Sequence, residues 1–389
     1  MKVCHLGKYY PPAPGGIETH VRVLARAQGD LPGIETRVFC VNHEAGPTVV
    51  EHDGPVEVTR FGRLGSAGKF DICPDLAGAL KRVETDVFHL QAPNPVMSLA
   101  LLRVRPKVPV VVTYQSDLIR QRILRKFFLP LEHLLYRRQV RAILATSPTY
   151  PSGSKFLRAF ADKIEILPLG LDLAPYTDPS AEDRAEAERI KSRHAGPIWL
   201  GCGRMNYYKG FLVAIRALTR VPGTLILIGD GPERAGLEAE TKRLGLESRV
   251  VFPGHVPTTV PYYLAAHAFW FPSNIRGEAF GLVQVEAMAS GCPVINAAIP
   301  YSGVSWVSRH GETGLTAPID DPEAFALAAN RLLNEPGLRE TLAEGARARA
   351  VREFDHRVMA DRTIDVYRRV LAAEANRHPV RARPAAVVG

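Results

Sequence analysis

Short apolar runs alternate with longer amphipathic stretches along most of the chain. Six runs in the first half have strand character: 2–6, 36–41, 86–90, 108–114, 142–146 and 164–167. Five more follow in the second half: 198–203, 224–229, 250–253, 268–272 and 294–296. Such alternation is typical of parallel sheets that are covered by helices. The pattern therefore predicts an α/β protein with two Rossmann-like domains.

The stretch between the two sets of strands marks a domain boundary. From residue 173 to residue 196 strand character is lost, and a charged segment rich in Ala, Glu and Arg takes its place. This change is typical of a linker that carries a surface helix. We therefore expect domains at 1–172 and 197–354, joined by a linker at 173–196.

Two further segments follow the second domain. Apolar residues recur at helical spacing from 355 to 374, which predicts one more helix. Residues 376–389 are rich in Pro, Arg and Ala, a composition that cannot supply a packed core. We expect this tail to be disordered.

The composition is that of a soluble globular protein. The chain has 389 residues, too many for one ordinary core, and is 46% apolar and 23% charged. Its five cysteines show no Cys-x-x-Cys spacing, so neither a disulfide framework nor a structural zinc site is expected, and no metal site is predicted. The first residues enter a strand without a signal-peptide core, and no apolar run approaches the ~20 residues of a membrane span. We expect a cytoplasmic protein.

A formal charge of +9 indicates an anionic partner without saying which one. Nucleic acid, phospholipid and a phosphorylated small molecule all fit. No recognisable nucleic-acid module accompanies the charge, so no nucleic-acid partner is predicted. The stretch 119–141 carries seven Lys or Arg residues against one acid, with apolar residues at helical spacing between them. It fits equally well a helix on an anionic membrane surface and a helix that packs on the core.

The most informative stretch holds two acids, Glu278 and Glu286, on either side of Phe280–Gly281. On a helix that begins near Leu282, Glu286 falls in an apolar arc, and Gln284 points roughly 160° away. A carboxylate in such an arc needs hydrogen-bond donors. Helical side chains lean toward the N-terminus of their helix, so we expect both acids and the amides near Gly281 to converge on one small volume.

Two cations follow the first strand of the second half. Arg204 comes after strand 198–203, and Lys209 opens the next helix. A lysine at a helix N-terminus opposes the helix dipole, so this placement favours an anion bound between Lys209, Arg204 and free amides over two solvated surface cations. Near the amino end, Gly15 and Gly16 would let backbone approach a ligand closely, although a simple turn explains them as well.

Several nucleotide sites are not supported. Neither the glycines at 201 and 203 nor those at 229 and 231 complete the dinucleotide fingerprint, and no P-loop is present. NAD binding and ATP hydrolysis therefore lose support. The cations point instead to a phosphate group on another ligand.

Together these motifs resemble the retaining glycosyltransferases of the GT-B fold, family four, from residue 1 to about residue 375. The resemblance is carried by Gly15-Gly16-Ile17-Glu18, Gly203-Arg204 with Lys209-Gly210, Gly229-Asp230-Gly231-Pro232, the Glu278 and Glu286 pair, and Gly311-Glu312-Thr313-Gly314-Leu315. It implies two Rossmann-like domains that face each other across a cleft, with the nucleotide sugar held mainly by the second and the acceptor by the first. It also implies that the last helix crosses back to the first domain and that no metal takes part.

The resemblance assigns roles to the residues of the motifs. Arg204 and Lys209 would hold the diphosphate, Glu286 would take the ribose hydroxyls, and Glu278 would grip the donor sugar. With Arg204, Lys209 and Glu278 as the catalytic residues, the donor-binding residues implied are Gly15, Gly16, Gln115, Phe280, Gly281, Leu282 and Glu286. Relatives usually carry histidine at the position of Gln115, and glutamine can donate a hydrogen bond but cannot hold a proton near neutral pH.

The function implied is transfer of a mannose- or rhamnose-like hexose in bacterial polysaccharide or glycolipid synthesis. The donor would be a GDP- or UDP-linked sugar, with no separate cofactor, and the acceptor a saccharide or lipid-linked saccharide. The basic stretch 119–141 would allow peripheral attachment at the inner face of the plasma membrane. The alternatives are a nucleotide-sugar epimerase of related two-domain shape and a basic nucleic-acid-binding protein.

Overall fold

The computed structural model describes residues 1–13, 15–67, 70–117 and 122–377 of the protein. Within these ranges the chain forms two α/β domains, as the alternating pattern predicts. The strands of the first domain are β1 (Lys2–Leu6), β2 (Glu35–Val41), β3 (Val49–Asp53), β4 (Val56–Phe61), β5 (Gly65–Ala67), β6 (Phe70–Ile72), β7 (Val87–Ala92), β8 (Val110–Tyr114), β9 (Val140–Ala145) and β10 (Ile164–Ile166). Its helices are α1 (Gly16–Gly29), α2 (Leu76–Arg82), α3 (Pro95–Val104), α4 (Arg122–Arg138), α5 (Thr149–Gly153) and α6 (Lys155–Arg158).

The linker and the second domain follow the same plan. The linker region holds α7 (Ala174–Thr177) and α8 (Ala181–Arg193). The strands of the second domain are β11 (Ile198–Cys202), β12 (Thr224–Ile228), β13 (Val250–Gly254), β14 (Ala268–Phe271), β15 (Val294–Ala297) and β16 (Gly314–Ala317). Its helices are α9 (Phe211–Leu218), α10 (Arg234–Arg243), α11 (Val260–Ala265), α12 (Leu282–Ala289), α13 (Val304–Val307), α14 (Pro322–Asn334) and α15 (Leu338–Phe354), before the last helix α16 (His356–Arg377).

Each domain is built on a sheet that is almost wholly parallel. The first sheet has the order β10-β9-β8-β7-β1-β2-β4-β3, in which only the β3–β4 pair is antiparallel. The second has the order β13-β12-β11-β14-β15-β16. Central strands such as β8 and β12 are buried along their whole length, because helices cover both faces of the sheet. A separate hairpin pairs β5 with β6.

Four strands of the first domain and one of the second were not predicted. The edge strand β3 is exposed over most of its length and carries Glu51, His52 and Asp53, so it lacks an apolar run. Its neighbour β4, the hairpin strands β5 and β6, and the short strand β16 were missed as well. Of the predicted tail, residues 378–389 lie outside the described ranges, and α16 extends to Arg377.

The last helix returns to the first domain. Its residues Ile364, Tyr367 and Val370 pack in one apolar cluster with Val3 of β1 and Leu24 of α1. Helix α8 behaves differently: its buried residues belong to the core of the second domain. The chain therefore crosses between the domains twice.

The two crossings lie side by side. The Leu171 amide donates to the Phe354 carbonyl at 2.9 Å, and the His356 amide donates to the Leu171 carbonyl at 2.9 Å. Leu171 and Asp355 form a parallel bridge. The connection between the domains is thus a short two-stranded ribbon.

Three buried histidines lie on β1, β7 and α1, and one of them, His89, contacts Tyr367 of α16. The rings of His5 and His89 are 5.2 Å apart, and His89 Nδ1 lies 2.5 Å from the Tyr367 hydroxyl. His5 Nε2 contacts Gln28 Oε1 at 2.9 Å, whereas among the described residues neither ring nitrogen of His20 has a partner. Burial lowers the pKa of His5 to about 4 and of His20 to about 3, and it lowers the pKa of His89 as well. The folded protein therefore favours three neutral imidazoles here.

No helix within the described ranges is long and apolar enough to cross a membrane.

Candidate active site

A cavity of about 420 Å³ lies between the two domains. It is bounded by loops that follow the carboxyl ends of strands in both sheets, which is where ligands bind in open α/β folds. The first domain supplies Gly16, Ile17, Gln115, Ser116 and Leu169. The second domain supplies Tyr208, Lys209 and residues 277–283. We call this space the first cavity.

A second cavity of about 910 Å³ adjoins the first. The two share three lining residues, Gly16, Tyr208 and Lys209. The other residues that line the second cavity are Gly15, Cys202, Gly203, Arg204, Ile228, Gly229, Asp230, Gly231, His255, Val256 and Thr259. The shared walls make the two cavities neighbouring parts of one interdomain groove.

Lys209 stands where the two cavities meet. It ends the 3-10 turn Tyr207–Lys209, and Gly210 follows with a φ of 67°. A Cβ at Gly210 would lie 2.1 Å from the Pro272 carbonyl oxygen, so this close turn requires glycine. Lys209 Nζ donates to Glu278 Oε2 at 2.5 Å, and both side chains are nearly buried.

The charge of Lys209 is maintained despite its burial. Burial alone would lower its pKa, but the Glu278 carboxylate outweighs that effect, so the pKa of Lys209 is raised. Its Nζ also lies 5.2 Å from the centroid of the Phe271 ring. The sequence did not foresee this direct contact between the predicted phosphate-binding lysine and the predicted sugar-binding acid.

Arg204 has a different environment. It is exposed, lines the second cavity and follows β11 after Gly203. Within the part of the chain that the structure describes, its guanidinium forms no ion pair with an acidic side chain. Arg204 therefore faces the groove without a direct ion pair among the described residues, in a cavity that Asp230 also lines.

Glu286 and Glu278 have different hydrogen-bond partners, and the convergence of both acids on one small volume stays a prediction. Glu278 lines the first cavity, whereas the Glu286 carboxylate accepts hydrogen bonds from Tyr263 at 3.0 Å and Thr259 at 3.4 Å. The reason is that Glu286 lies beside α11, which supplies Tyr263, with Thr259 just before it. Thr259 in turn lines the second cavity.

The carboxyl of Glu286 is hard to ionise. Burial raises its pKa to about 7, although hydrogen bonds from Tyr263, Tyr176 and Thr259 work in the opposite direction. Gln284, on the other side of the same helix, is fully buried, donates to the Phe280 carbonyl at 3.0 Å and accepts from Asn296 at 3.1 Å. Helix α12 is therefore covered on both sides, and both of its polar side chains have partners.

The start of α12 faces the first cavity. The helix begins at Leu282, as predicted, and is preceded by Gly281 with a φ of 77°. Gly281, Leu282 and Val283 line the cavity, and amides in the first turn of a helix have no acceptor within it. Phe280 is buried and packs edge-on against Phe354 at 5.6 Å. The positive end of the helix dipole is thus directed at this space.

The first domain forms the opposite wall. Nothing lies within 4 Å of a Cβ placed on Gly16, which lines both cavities. Gln115 is nearly buried, and its amide nitrogen donates to Gln91 Oε1 at 3.3 Å. Among the described residues, Gln91 Nε2 has no acceptor. The two amide side chains therefore form one pair behind the cavity wall.

Comparison with known proteins agrees with this arrangement. Residues 183–349 match the family model of glycosyl transferases group 1, and residues 15–170 match that of the glycosyl transferase 4-like domain. The D-rhamnosyltransferase WbpZ of Pseudomonas aeruginosa is 35% identical over 355 residues, which cover 90% of this chain and 91% of that protein. The chain belongs to the glycosyltransferase group 1 family. The O-antigen chain mannosyltransferase C of Escherichia coli is 30% identical over 377 residues, which cover 94% of this chain and 97% of that protein.

Solved structures agree with the fold of this glycosyltransferase. Sucrose-phosphate synthase from Thermosynechococcus elongatus superposes with a TM-score of 0.79 at 25% identity, over 96% of this chain and 99% of that one. Anabaena HepE, determined in complex with UDP, superposes with a TM-score of 0.76 at 24% identity, over 95% of this chain and 100% of that one. The GT-B architecture implied by the sequence is confirmed.

Some residues of the glycosyltransferase site were missed by sequence reasoning. Tyr263 and Thr259, which bond Glu286, come from an element with no motif of its own. Asp117 and Arg276 join the two domains beside the first cavity. A signal for both existed, because each is a charged residue two positions from a predicted site residue, Asp117 after Gln115 and Arg276 before Glu278.

Proposed function

We propose that this glycosyltransferase moves a hexose of the mannose or rhamnose class from a nucleotide sugar to a saccharide or lipid-linked saccharide in bacterial surface-polysaccharide synthesis. The names of its relatives, a D-rhamnosyltransferase and an O-antigen mannosyltransferase, support this class of reaction. The observation that carries the proposal is the pair of adjoining cavities, which share Lys209 and differ in their other charged residues, Glu278 in the first and Arg204 and Asp230 in the second.

The nucleoside diphosphate would occupy the second cavity. Arg204 supplies a cation without a direct ion pair there among the described residues, and Gly203, Gly229 and Gly231 let the backbone approach a phosphate or a base. Glu286 would reach the ribose hydroxyls from beside Thr259. Gly15 and Gly16 would close over the phosphates from the first domain.

The sugar would occupy the first cavity. Glu278 can accept hydrogen bonds from sugar hydroxyls while it holds Lys209, and Gln115 can bond a hydroxyl from the other domain. The amides at Gly281 and Leu282 and the backbone at Phe280 complete this end of the groove. The anomeric carbon would then lie near Lys209, where the cavities meet.

The chemistry follows from this placement. As the bond between the anomeric carbon and the diphosphate breaks, its electron pair goes to the departing oxygen and the sugar becomes oxocarbenium-like. Arg204, Lys209 and the amides at the start of α12 would stabilise that growing negative charge. We propose that they do so without a metal ion or a separate cofactor, because fixed cations can take the place of a Lewis acid.

We also propose that the anomeric configuration is retained. The acceptor hydroxyl would attack from the face that the diphosphate leaves, form the new glycosidic bond and pass its proton to the departing phosphate oxygen. The support for this route is that Glu278, the acid nearest the proposed sugar site, is held in an ion pair with Lys209.

Donor binding and turnover test the proposal directly. We expect calorimetry to detect GDP or UDP in preference to ADP, and we expect slow hydrolysis of the matching nucleotide sugar, with GDP-mannose and UDP-glucose as the first probes. Turnover should persist in EDTA, and the anomer released should match that of the donor by NMR. Conversion of a nucleotide sugar into its epimer without acceptor, or no binding of any nucleoside diphosphate, would contradict the proposal.

We further propose peripheral association with an anionic membrane through residues 119–141. Helix α4 covers most of this stretch, whereas residues 119–121 lie outside the described ranges. Phe128, Leu135 and Tyr136 are buried in the first domain, and Leu131 remains 41% exposed. The helix is thus anchored by one side, and the exposed residues at 130, 131, 137 and 138 are available to a membrane surface.

A further inference from the structure

Arg276 of the second domain reaches across the groove to the first domain. Its Nη1 donates to Asp117 Oδ2 at 2.5 Å, and its Nη2 donates to the Tyr150 carbonyl at 2.8 Å. Its Nε donates to the Tyr301 carbonyl at 3.2 Å, within its own domain. The guanidinium also lies 4.0 Å from the centroid of the Tyr150 ring. We call Asp117, Tyr150, Arg276 and Tyr301 the interdomain clasp.

Hydrogen bonds within the first domain hold the carboxylate of Asp117 in position for its contact with Arg276. Its Oδ1 accepts from the Tyr114 hydroxyl at 2.7 Å and from Ser154 at 2.8 Å, and its backbone amide donates to the Tyr150 hydroxyl at 2.8 Å. Oδ2 is the atom that accepts from Arg276. The side chains of Asp117 and Arg276 are only 9% and 19% exposed, so little water screens the pair.

The clasp lies at the rim of the first cavity. Asp117 is two residues after Gln115, and Arg276 is two residues before Glu278. The intervening residues Ser116 and Gly277 line the cavity. Any change in the distance between the clasped groups therefore changes the distance between Gln115 and Glu278.

A second set of contacts connects the loop around Glu278 in the second domain to the first domain. Thr149 donates to the Ser302 carbonyl at 2.7 Å, and the Ser302 hydroxyl donates to the Glu278 carbonyl at 2.5 Å. The Gly303 amide donates to the Ala279 carbonyl at 2.9 Å. The backbone around Glu278 thus depends on interdomain contacts as well as on its own domain.

The contact between the two domains at Gly153 leaves no room for a side chain. A Cβ on Gly153 of α5 would lie 2.4 Å from Tyr301 Cβ and 2.8 Å from Arg276 Nε. Such distances force a displacement, so even one methyl group at this position would push the clasp apart. The glycine is needed for the contact with the other domain, because α5 itself would accept alanine.

We propose that Arg276 is a positioning residue for sugar transfer: by clasping Asp117 and Tyr150, it sets Glu278 and Gln115 on opposite sides of the donor sugar. The inference rests on the proposed function. The rate of catalysis depends strongly on the position of such groups, since a misplacement of about 1 Å can lower the rate by ~10²-fold. Nucleoside diphosphate binding depends mainly on the second cavity, which the clasp does not line.

The test separates turnover from nucleotide binding. In Arg276→Gln we expect kcat for donor hydrolysis and transfer to fall by ~10-fold or more, on the scale of such a misplacement. The dissociation constant of GDP or UDP should change by less than about 3-fold, because the variant keeps the direct contacts to the nucleotide. A tenfold change in affinity would require a loss of about 1.4 kcal/mol of binding free energy. Arg276→Lys should recover part of kcat, because an ammonium can still pair with Asp117 but lacks the planar fork that bonds Tyr150 and Tyr301 at the same time.

Arg369→Gln is the matched control. Arg369 of α16 pairs with Glu165 of β10, also between distant segments, and neither residue lines either cavity of the groove. Gly153→Ala is the second variant, since it keeps every hydrogen-bonding group of the clasp. Thermal unfolding shows which variants are folded. If Arg276→Gln does not fold, the kcat of Gly153→Ala provides the test of the clasp.

The outcomes are distinct. A fall in kcat in every clasp variant that folds, with nucleotide affinity and the Arg369→Gln control unchanged, supports the clasp. Wild-type kcat in a folded clasp variant overturns it, and so does an equal fall in Arg369→Gln. If the wild-type protein neither binds a nucleoside diphosphate nor turns over a nucleotide sugar, it is the proposed function that fails.

Discussion

Lys209 and Arg204 are both cationic side chains of the groove, but only Lys209 forms an ion pair among the described residues. Lys209 is nearly buried and bonded to Glu278, whereas Arg204 is exposed in the groove. Removing Lys209 would leave a nearly buried carboxylate without its partner, which destabilises the fold as well as the site. Removing Arg204 affects only what binds in the groove. Arg204 is therefore the cleaner residue for a test of charge.

For Arg204→Ala we expect turnover to fall by ~10²-fold or more, the scale of one lost contact to a developing charge. The free energy of unfolding should stay within about 0.5 kcal/mol of wild type, as for other exposed substitutions. Steady-state kinetics and urea unfolding measure the two effects. Arg220→Ala, at an exposed arginine that lines neither cavity, is the control, and near-normal turnover in Arg204→Ala would reject the assignment.

Glu286 predicts a dependence of stability on pH. Its pKa is about 7 in the folded protein and about 4.5 when unfolded, so the folded state binds more protons between these values. Its contribution to stability is therefore present below pH 4.5 and is lost as the pH rises through 7. Glu286→Gln removes this loss.

Measured by urea unfolding, the free-energy difference between Glu286→Gln and wild type should shift in favour of the variant by about 1–2 kcal/mol from pH 5.5 to pH 8. Comparing the two proteins at each pH cancels the titration of all other groups. A difference that does not change with pH would show that the carboxyl of Glu286 ionises as it does in water.

At the scale of elements, the local sequence pattern was enough to predict strands and helix starts wherever the apolar run was clear. Strands such as β1 and β12 and the start of α12 at Leu282 follow from apolar runs and a preceding glycine. The edge strand β3 does not, because its pairing with β4 stabilises residues that are mostly exposed. Sequence therefore located the elements that position the site better than those at the margin of the first sheet.

Helix α4 gives a prediction at the same scale. The wild-type protein should sediment with anionic liposomes, and replacing Arg137 and Arg138, both exposed, with Ser should reduce binding, since each basic residue near such a surface contributes about 1 kcal/mol. Neutral vesicles and the pair Arg189→Ser and Arg193→Ser on α8 serve as controls. Equal binding by both double variants, or no binding by wild type, would exclude the membrane role of α4.

At the scale of the whole molecule, contacts between domains were the part that sequence could not supply. Arg276 and Asp117 are 159 positions apart, and no local periodicity records that they meet. The same holds for Tyr367 and His89, which are 278 positions apart. The sequence singled out charged residues and glycines that line the groove, whereas the partners of Glu278 and Glu286 required the folded chain.

The buried histidines predict sensitivity to acid. Their pKa values are lowered in the folded state, so the unfolded chain binds protons first as the pH falls. Stability should therefore decrease from pH 6.5 toward pH 4. In His20→Leu, which removes one imidazole without a partner, we expect this decrease to be smaller by about 1–2 kcal/mol at pH 5.

Urea unfolding of both proteins at pH 7.5 and pH 5 measures the effect. His255→Leu, at an exposed histidine, is the control and should leave the slope unchanged. An identical loss of stability in wild type and His20→Leu would show that another group controls the response to acid.

The return of α16 to the first domain also sets an order of completion during synthesis. The core of the second domain is complete at Phe354, but Val3 and Leu24 are not covered until Ile364 and Tyr367 have been made. The apolar face of the first sheet that α16 covers therefore stays exposed until the rest of the chain has been translated. The first domain, although it is translated first, can therefore complete its core only after the last helix has been made.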